Sequence, residues 1–398
     1  MVEPLQPTAL PPRPTDTATP VLVLGPDVSP PPSWDSHATA LPLRRIRLSK
    51  AEDTRHALAQ LPHCPGIAGA PLVLLAAEPE LLARARALGY ALVVGLAGRH
   101  ARSTLLKAGA DLVLRRIEEL DPHHLPTRQL PSAFAAIHTL RAELKSATPR
   151  LFLDYDGTLT PIVDQPAQAR LTEHQRAILR SVSARAKIAL VSGRDLADLR
   201  RRVALPELIQ VGSHGYEALE PAGGHWVHPD AGPATRALAE LERVLRFQLP
   251  QWPGCVAERK AYGLAIHYRH LPEHRVGALE QWLLGLAGRW PALRPRDGKK
   301  VLEFVPDLAW DKARAVKRLL AGAMRGRGPA VYIGDDLTDE DVFFHLRGEI
   351  IGLRVGKEAG ASYAQYQLDD VEAVYRLLWE LVRPGVSRSD QGPPRRGP

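Results

Sequence analysis

Two carboxylates follow an apolar segment near the middle of the chain, and their spacing suits metal and phosphate chemistry. Residues 151–153 read LFL and lead directly into Asp154 and Asp156, with Gly157 next. Residues two apart in an extended strand share one side of it, so both acids can face one pocket once Gly157 lets the chain turn. Like charges this close repel each other, and a hard divalent cation such as Mg²⁺ offsets that repulsion through oxygen ligands. An exposed acidic turn is the alternative, and the buried character of the preceding strand argues against it.

A serine and a lysine further along the chain could bind the oxygens of a phosphate group. Ser192 follows the apolar run ALV and precedes Gly193, so its hydroxyl and the next backbone N–H can donate to a phosphate oxygen. Lys312 opens a helix behind Asp311, which is a suitable N-cap residue. The charge of Lys312 opposes the helix dipole there, so this lysine gains from a nearby anion. Each feature alone indicates only a turn or a solvated lysine, but together with the carboxylates they predict a phosphate-binding site.

A second acidic cluster follows the apolar segment at 331–333. Five of the seven residues 335–341 are acidic, and a bound cation would relieve their mutual repulsion. The N-terminus of a helix also favours acids, which accounts for Glu340 and Asp341 but not for Asp335. We therefore predict that Asp335 is a metal ligand.

All of these groups stand near the ends of predicted elements. Asp154, Ser192 and Asp335 each follow a strand, and ligands of open parallel sheets bind at the carboxyl ends of the strands. Lys312 can reach the same edge from the start of its helix. Carboxylates, a hydroxyl and a cation around one Mg²⁺ form a site suited to the transfer of a phosphoryl group to a carboxylate.

The elements that must position these residues alternate between strands and helices, a pattern typical of α/β domains with a parallel sheet. Apolar strand candidates in the second half of the chain lie at 150–153, 187–191, 208–211, 301–305, 330–333 and 350–353. Residues 212–296 differ, because short polar strands alternate there with amphipathic helices near 234–247 and 275–288. We predict a separate α/β module inserted between the serine and lysine segments.

Residues 21–130 show their own alternation of short apolar strands and helices, which predicts a second α/β domain. The segments 1–20 and 384–398 are rich in proline and polar residues, and we expect both to be disordered. The predicted plan is a leader, an N-terminal domain, a linker helix, a core in two parts, an inserted module and a tail. The leader covers residues 1–20, the N-terminal domain 21–130 and the linker helix 131–149. The core covers 150–211 with 297–383, the inserted module 212–296 and the tail 384–398.

Composition excludes several classes of protein. Cys64 and Cys255 are far apart and in no C-x-x-C pair, which argues against a disulfide scaffold or a structural zinc finger. No apolar run approaches the roughly 20 residues of a membrane span, and the first residues do not read as a signal peptide, so we expect a cytoplasmic protein. The net charge of +8 suits an anionic partner. No nucleic-acid-binding motif accompanies the basic residues, which favours solvated surface charge or the steering of an anionic substrate.

Two sets of short segments resemble known families. The first set resembles, in order, the four motifs of the haloacid dehalogenase-like hydrolase superfamily: DYDGTLT at 154–160, VSGR at 191–194, the lysine at 312 and GDDLTDED at 334–341. The second set resembles the trehalose-6-phosphate phosphatase family within it: GSHGYE at 212–217, ERK at 258–260, HYR at 267–269 and EFVP at 303–306. The resemblance covers about residues 148–383. It implies a Rossmann-like parallel-sheet core and an α/β cap at 212–296 that determines substrate specificity.

The resemblance also implies a role for each matching residue. The implied catalytic residues are Asp154 as nucleophile, Asp156 as general acid and base, and Ser192 and Lys312 as phosphate-binding groups. Mg²⁺ would be held by the carboxylates of Asp154 and Asp335 and by the backbone carbonyl of Asp156. Asp336 and Asp339 would orient these ligands. The implied substrate-binding residues are Arg194, Gly212, His214, Glu217, Glu258, Lys260, His267, Arg269 and Glu303.

Two positions depart from the family pattern. Ala313 follows the motif lysine where the family has glycine, which a helix tolerates. Val305 stands where the family has arginine, which removes a polar contact near Glu303. Residues 21–130 resemble the extra N-terminal domain of long actinobacterial-type members and a degenerate haloacid dehalogenase-like core. They contain no D-x-D strand, so we expect a catalytically silent copy with a structural or regulatory role.

Several alternatives stay open on this evidence. The substrate could be another sugar phosphate, such as sucrose 6-phosphate, or the chain could be a phosphosugar-binding regulator that has lost turnover. Binding to nucleic acid is motivated only by the pI and predicts strongly salt-dependent association with DNA. A zinc site at His267, His270 and His274 lacks any matching acid or cysteine spacing. The expected partner is a small sugar phosphate, with no nucleic acid and no membrane, and the expected state is a monomer or weak oligomer.

Overall fold

The structure, a computed structural model, describes most of the chain between residues 20 and 382. The described residues are 20–31, 44–48, 54–65, 67–68, 70–98, 100, 102–114, 116–121, 125–144, 148–163, 168–221, 223–298, 300–327, 330–356 and 360–382. The predicted leader at 1–20 and tail at 384–398 therefore lie outside the described residues, apart from Pro20.

Strands and helices alternate along the described residues. In chain order they are β1 (Val21–Leu24), β2 (Arg44–Arg47), α1 (Thr54–Gln60), β3 (Leu72–Ala76), α2 (Pro79–Ala87), β4 (Leu92–Leu96), α3 (Arg102–Lys107), β5 (Leu112–Leu114), α4 (Ile137–Leu144), β6 (Arg150–Leu153), α5 (Glu173–Ser183), β7 (Lys187–Val191), α6 (Leu196–Val203), β8 (Ile209–Gly212), β9 (Glu217–Leu219), β10 (His225–Val227), α7 (Gly232–Gln248), β11 (Val256–Lys260), β12 (Gly263–His267), α8 (Glu273–Ala287), β13 (Leu293–Gly298), β14 (Val301–Pro306), α9 (Lys312–Ala321), β15 (Ala330–Gly334), α10 (Leu337–His345), β16 (Ile350–Val355), β17 (Tyr366–Leu368) and α11 (Val371–Val382). Within this part of the chain, no helix combines the length and apolar character needed to cross a bilayer.

The strands form three sheets, of which the largest is the eight-stranded core sheet. Its order is β10-β9-β8-β7-β6-β15-β16-β17. Neighbouring strands are parallel from β8 to β17, whereas β9 and β10 extend the sheet as an antiparallel hairpin. The strands predicted at 150–153, 187–191, 330–333 and 350–353 are confirmed, and they lie side by side at the centre.

Helices cover both faces of the core sheet, because successive residues of a strand point to opposite sides. On β6, Leu151 and Leu153 pack with residues of α5, α6 and α11, whereas Phe152 packs on the other face with residues of α9 and α10. The resulting three-layer α/β core buries the strands on both faces and leaves their carboxyl ends as the accessible edge. This is the Rossmann-like parallel-sheet architecture that we predicted.

The cap sheet contains four antiparallel strands in the order β11-β12-β14-β13. One of its faces carries apolar side chains, including Leu264, Ile266 and Phe304, which pack with residues of α7 and α8. The opposite face carries polar side chains, including Glu258, Lys260 and Glu303. The alternation of apolar and polar residues along these strands therefore sets which face packs on the helices.

The boundaries predicted for the inserted module were wrong at both ends. Residues 217–219 and 225–227 fall inside the predicted cap of 212–296, yet β9 and β10 belong to the core sheet. Conversely, β14 (Val301–Pro306) was assigned to the core, yet it pairs with β12 and β13 of the cap sheet. An apolar strand has the same local sequence pattern in the core sheet and in the cap sheet. Its partner strands are determined by long-range hydrogen bonds, which the local pattern does not specify.

The N-terminal sheet has five parallel strands in the order β2-β1-β3-β4-β5. The parallel strands β7-β6-β15-β16-β17 of the core sheet have the same order. The two sheets also share a backbone hydrogen bond at the end of the equivalent strand. The amide of Gly25, after β1, donates to the carbonyl of Leu75 at 2.8 Å, and the amide of Asp154, after β6, donates to the carbonyl of Ile333 at 2.9 Å. This sheet is consistent with a degenerate copy of the core.

The segment predicted as a linker helix at 131–149 packs on the core. The helix itself, α4, begins later than predicted, and its described part spans Ile137–Leu144. The amide of Ala133 donates to the carbonyl of Gln367 at 2.9 Å, and Leu140 is buried in the same apolar layer as Leu151. The segment is therefore a structural part of the core.

Candidate active site

Asp154 and Lys312 meet at the carboxyl edge of the core sheet. Asp154 is the first residue after β6 and is buried. Nζ of Lys312, at the start of α9, donates to Oδ1 of Asp154 at 2.8 Å, although 158 positions separate the two residues. Burial raises the pKa of Asp154, and the Lys312 ammonium opposes that rise. Burial alone would lower the pKa of Lys312, but Asp154 and the neighbouring acids outweigh it and raise that pKa.

Asp339 holds Lys312 from the other side. Its Oδ1 accepts hydrogen bonds from Nζ of Lys312 at 2.8 Å and from the hydroxyl of Tyr332 at 2.6 Å. Its Oδ2 accepts from the backbone amides of Asp335 and Asp336 at 2.9 and 3.0 Å. The last of these bonds belongs to a capping box, in which Asp336 and Asp339 satisfy each other's backbone amides at the start of α10. The acidic run after β15 therefore folds into a helix start that aims Asp339 at the lysine.

Asp335 completes a cluster of three carboxylates. One oxygen from each of Asp154, Asp335 and Asp339 lies within 4.8 Å of the others. Burial and the neighbouring acids, Asp339 above all, raise the pKa of Asp335 to about 8. Gly157 makes this approach feasible, because its φ is +84° and a Cβ there would lie 2.0 Å from Oδ2 of Asp335. The hydroxyl of Thr158, next to that glycine, donates to Oδ1 of Asp335 at 3.3 Å.

The cluster fits a hard divalent cation such as Mg²⁺. Asp339 is saturated by Lys312, Tyr332 and two amides, whereas Oδ2 of Asp154 and Oδ2 of Asp335 accept no hydrogen bond from the described residues. Oxygen ligands suit such a cation, and its charge would lower the raised pKa values of both carboxylates. Asp154 and Asp335 are thus the two carboxylates with oxygens to offer.

Asp156 lies in a different pairing. Nε and Nη2 of Arg194 each donate to one oxygen of Asp156 at 2.6 Å, which is a bidentate ion pair. Nη1 of Arg194 donates to Asp198 at 2.9 Å, and the guanidinium lies over the ring of Tyr155. The side chain of Asp156 is 39% exposed, so a ligand in the cleft can reach it. The carboxylate of Asp156 is therefore paired with Arg194 and does not join the cluster of Asp154, Asp335 and Asp339.

Ser192 lies at the end of β7 and is buried. Its Oγ accepts a hydrogen bond from the amide of Arg194 at 3.1 Å. Its backbone carbonyl accepts from the amide of His214 at 3.0 Å. These two contacts bring three of the predicted residues, Ser192, Arg194 and His214, to one loop beside the carboxylates.

Two glycines near Ser192 allow close packing. A Cβ on Gly193 would lie 2.5 Å from Cε1 of His214, so the glycine makes room for the imidazole. A Cβ on Gly212 would lie 2.4 Å from the backbone nitrogen of Leu196. Gly212, predicted to bind substrate, is therefore explained by the packing of β8 against α6.

His214 joins the core to the cap sheet. Its Nε2 lies 3.7 Å from Oε2 of Glu303, whose Oε1 accepts a hydrogen bond from Nζ of Lys260 at 2.7 Å. Burial lowers the pKa of His214 to about 4, and the charge of Arg296 adds to that effect. Burial would raise the pKa of Glu303, but His214 and Lys260 outweigh it and hold that pKa well below its usual range. An ionised glutamate therefore faces a neutral histidine across the cleft.

The other cap residues share the polar face of the cap sheet. Glu258 pairs with Ala265, which in turn pairs with Glu303 on β14, so all three side chains point the same way. Nε2 of His267 lies 2.8 Å from Oε2 of Glu258, and this contact lowers the pKa of that carboxyl. Arg269 is exposed in the turn after β12.

A contact that we did not predict joins the tip of the cap hairpin to the core. The amide of Ala261, between β11 and β12, donates to Oδ1 of Asp195 at 2.9 Å. The hydroxyl of Ser213 lies 3.2 Å from the same oxygen and 3.3 Å from Oε1 of Glu217. Burial raises the pKa of Glu217. The predicted Glu217 is therefore at the point where the cap meets the core.

Two further residues of this region, Tyr332 and Arg296, were also missed. Tyr332 stands inside the apolar run of β15 and reads as a core residue. Arg296 belongs to the segment 293–296, Leu-Arg-Pro-Arg, whose proline suggests a loop. The available signal was the position of the arginines at every second residue, 294 and 296. If the segment is read as a strand, both arginines lie on one face of it.

The fold and this cluster define the class of protein. An acid follows the first strand of the three-layer α/β core, another follows the neighbouring strand, and a lysine pairs with the first acid, which is the arrangement that the resemblance to the haloacid dehalogenase-like hydrolases implies. The solved C-terminal domain of C. albicans trehalose-6-phosphate phosphatase shares this fold, with a TM-score of 0.55 over 64% of this chain and 98% of that chain at 24% identity. This likeness confirms the predicted fold.

Sequence comparison then identifies the family. A family model described as trehalose-phosphatase matches residues 152–372. The trehalose-phosphate phosphatase of Mycobacterium avium is 39% identical over 319 residues, which cover 78% of this chain and 79% of that protein. The trehalose-phosphate phosphatase of Mycolicibacterium paratuberculosis is 40% identical over 319 residues, with the same coverage of 78% and 79%. The chain therefore belongs to the trehalose-phosphatase family, and the prediction of a phosphoric monoester hydrolase is confirmed.

Proposed function

We propose that this protein hydrolyses trehalose 6-phosphate to trehalose and phosphate, the last step of trehalose biosynthesis, with Mg²⁺ and through an aspartyl-phosphate. Its family supports the choice of substrate. The chemistry rests above all on Lys312, which binds Asp154 and Asp339 at 2.8 Å each, beside Asp335. These contacts support a site in which Asp154 acts as nucleophile beside the cation of Lys312 and the proposed metal ligands.

In the first step Asp154 acts as the nucleophile. One of its carboxylate oxygens attacks phosphorus, the bond between phosphorus and the sugar oxygen breaks, and the phosphoryl group is transferred to Asp154. Asp156, in its protonated form, gives its proton to the departing sugar oxygen. Asp156 must leave its pair with Arg194 to do so, and an incoming phosphate competes for that guanidinium.

In the second step water releases the phosphate. Asp156, now ionised, takes a proton from a water molecule whose oxygen attacks phosphorus. The bond between phosphorus and Asp154 breaks, so the carboxylate of Asp154 is restored and phosphate departs. The hydroxyl of Ser192 and the ammonium of Lys312 hold the phosphate oxygens in both steps.

Two fixed positive charges make an anionic nucleophile compatible with an anionic substrate. Mg²⁺, held by the carboxylates of Asp154 and Asp335 and by the backbone carbonyl of Asp156, supplies charge that screens this repulsion. Lys312 adds a second charge at the same place, and Asp339 keeps it there. The buried position of this pair strengthens its electrostatic effect on the reaction.

The cap sheet with α7 and α8 supplies specificity for the sugar. Its polar face carries Glu258, Lys260, His267 and Glu303, and the core contributes His214. Charged donors and acceptors of this kind suit the hydroxyls of a disaccharide. A cap that closes over the site also excludes water.

The N-terminal domain has no catalytic part in this proposal. Gly25 stands at the position that Asp154 occupies in the core, as their equivalent amide hydrogen bonds indicate. Leu75 pairs with the last residue of β1, as Ile333 pairs with the last residue of β6. Ala77, two residues after Leu75, therefore corresponds to Asp335, two residues after Ile333. Neither replacement carries a carboxylate, so the equivalent edge cannot bind Mg²⁺ or accept a phosphoryl group in the same way. This supports a structural or regulatory role.

Phosphate release from a panel of sugar phosphates tests this function. We expect the highest kcat/KM with trehalose 6-phosphate compared with sucrose 6-phosphate and glucose 6-phosphate, and no release after chelation of Mg²⁺. A higher kcat/KM with sucrose 6-phosphate would assign the enzyme to another sugar. Tight binding of trehalose 6-phosphate without release of phosphate would make the protein a regulator.

A further inference from the structure

Arg296 lies on the polar face of the cap sheet, directly beside Glu303. In the antiparallel pairing of β13 with β14, Arg296 stands opposite Glu303 and Arg294 stands opposite Val305. Residues directly opposite each other project from the same face. Leu293, one residue before Arg294, is buried on the helix side of the sheet, so both arginines project from the other side, toward the core.

The two arginines differ in what they bind. Nη2 of Arg294 donates to the backbone carbonyl of Trp310 in the core at 3.5 Å, so this side chain already spans the cleft. For Arg296, no hydrogen bond or ion pair is found with any residue that the structure describes. The neighbouring Glu303 is taken by Lys260 at 2.7 Å and faces His214 at 3.7 Å. The five donors of this half-buried guanidinium are thus not used by the described residues.

The electrostatic surroundings place this guanidinium between the cap and the core. Its charge helps to lower the pKa of His214, in the loop after β8, and opposes the rise in the pKa of Asp341 on α10. Both of these residues belong to the core. Nδ1 of His214 is buried and likewise has no partner among the described residues. Arg296 and Nδ1 of His214 thus both lack a partner among the described residues, and both residues neighbour the ionised Glu303.

We propose that Arg296 is a substrate-binding residue that recognises the sugar part of the phosphate ester. The proposal rests on the function proposed above and names a residue that determines its specificity. The planar fork of a guanidinium can donate two parallel hydrogen bonds to neighbouring hydroxyls. The phosphate-binding groups, Ser192 and Lys312, come from the core, whereas Arg296 belongs to the strand pair that carries Glu303. Val305, on the same face, brings no donor of its own.

Substitution of Arg296 with glutamine tests this role, using two substrates that differ in the sugar. For trehalose 6-phosphate we expect KM to rise roughly 10- to 100-fold in Arg296→Gln, as for the loss of hydrogen bonds from a charged donor. For p-nitrophenyl phosphate, which has no sugar, we expect kcat/KM to stay within about twofold. Arg296→Lys keeps the charge but loses the fork, so its KM should lie between those of the wild type and Arg296→Gln. Arg243→Gln, an exposed change on the outer helix α7, is the matched control and should leave both substrates unaffected.

The outcomes separate this proposal from the proposed function. An unchanged KM for trehalose 6-phosphate in Arg296→Gln would overturn the role of Arg296 while leaving the function intact. Equal losses with both substrates would also overturn it, because they would indicate a contact with phosphate or a structural defect. If the wild type does not hydrolyse trehalose 6-phosphate, the proposed function fails, and the same comparison is made with the sugar phosphate that it hydrolyses fastest. As a second measurement, calorimetry compares how tightly the wild type and Arg296→Gln bind the free sugar that is released from the best substrate. We expect Arg296→Gln to bind this sugar more weakly, and an equal affinity would contradict the proposal.

Discussion

Nζ of Lys312 and Oδ1 of Asp154 lie 2.8 Å apart at a site that is almost closed to solvent. Asp339 holds the same ammonium at an equal distance from the other side. The proposed nucleophile, Asp154, is therefore paired with a cation by the fold itself. Such preorganisation is the usual source of electrostatic stabilisation of a transition state.

Lys312→Met should abolish most activity and destabilise the protein. The variant leaves Asp154 and Asp339 buried without their cation, which typically costs about 3–5 kcal/mol of unfolding free energy, and we expect kcat to fall by at least ~10²-fold. Phosphate release and urea unfolding measure the two effects. Lys317→Met on the same helix is the control, because Lys317 is exposed in its pair with Glu349 and should change stability by less than about 1 kcal/mol. Wild-type kcat in Lys312→Met would contradict the role of the lysine.

Gly157→Ala should remove the response to Mg²⁺, whereas Gly223→Ala should not. Both glycines have a φ of +84°, so alanine strains the backbone alike in each case, by about 1–2 kcal/mol. A Cβ at 157 would in addition collide with Asp335, whereas one at 223 has nothing within 4 Å. Titration of activity with Mg²⁺ checks this difference. If both variants respond to Mg²⁺ as the wild type does, the placement of Asp335 as a metal ligand is wrong.

Tyr332→Phe should affect both stability and catalysis. Its hydroxyl donates to Asp339 at 2.6 Å, so its removal leaves a buried carboxylate oxygen with one donor fewer, at a cost of about 1–3 kcal/mol. Because Asp339 positions Lys312, kcat should fall as well. Tyr375→Phe is the control: its buried hydroxyl donates to the carbonyl of Leu159 at 2.9 Å. We expect Tyr375→Phe to lose stability with an unchanged kcat, and an equal kcat in both variants would show that Tyr332 has only a structural role.

His214 should make the protein less stable as the pH falls below neutral. Its pKa is lowered to about 4 in the fold by burial and by Arg296, against about 6.5 for a histidine in an unfolded chain. Between these values the unfolded chain binds the extra proton, so stability declines from about pH 6.5 toward pH 4 and is unaffected by this group above that range. At pH 5 the contribution is about 2 kcal/mol. Urea unfolding measures how much unfolding free energy each protein loses between pH 7 and pH 5. We expect His214→Asn to lose about 2 kcal/mol less than the wild type. An equal loss in the two proteins would contradict a lowered pKa of His214.

Sequence patterns led to the proposed catalytic residues because most of them follow short apolar strands. Asp154, Ser192 and Asp335 each come next after such a strand, and parallel strands of one sheet place their carboxyl ends at one edge. Lys312 was found through its place at a helix start. The convergence of Asp154, Lys312 and Asp335 could therefore be anticipated from topology alone.

Pairings between distant side chains could not be read in the same way. The ion pair of Asp156 with Arg194 depends on side-chain rotamers and on which of two charged groups is nearest, and neither is encoded in local spacing. The boundaries of the cap could not be predicted for a related reason. β14 has the composition of a core strand, but its hydrogen bonds go to β12 and β13 of the cap sheet. Tyr332 was hidden because its ring packs in the core while its hydroxyl reaches the site.

The role of Asp154 is tested most directly by phosphate release from the isosteric variant Asp154→Asn. With saturating trehalose 6-phosphate and Mg²⁺, we predict a kcat at least ~10³-fold below that of the wild type, because the amide cannot form the phosphorylated intermediate. Circular dichroism should show that the variant remains folded. Release of phosphate by Asp154→Asn at the wild-type rate would contradict the mechanism.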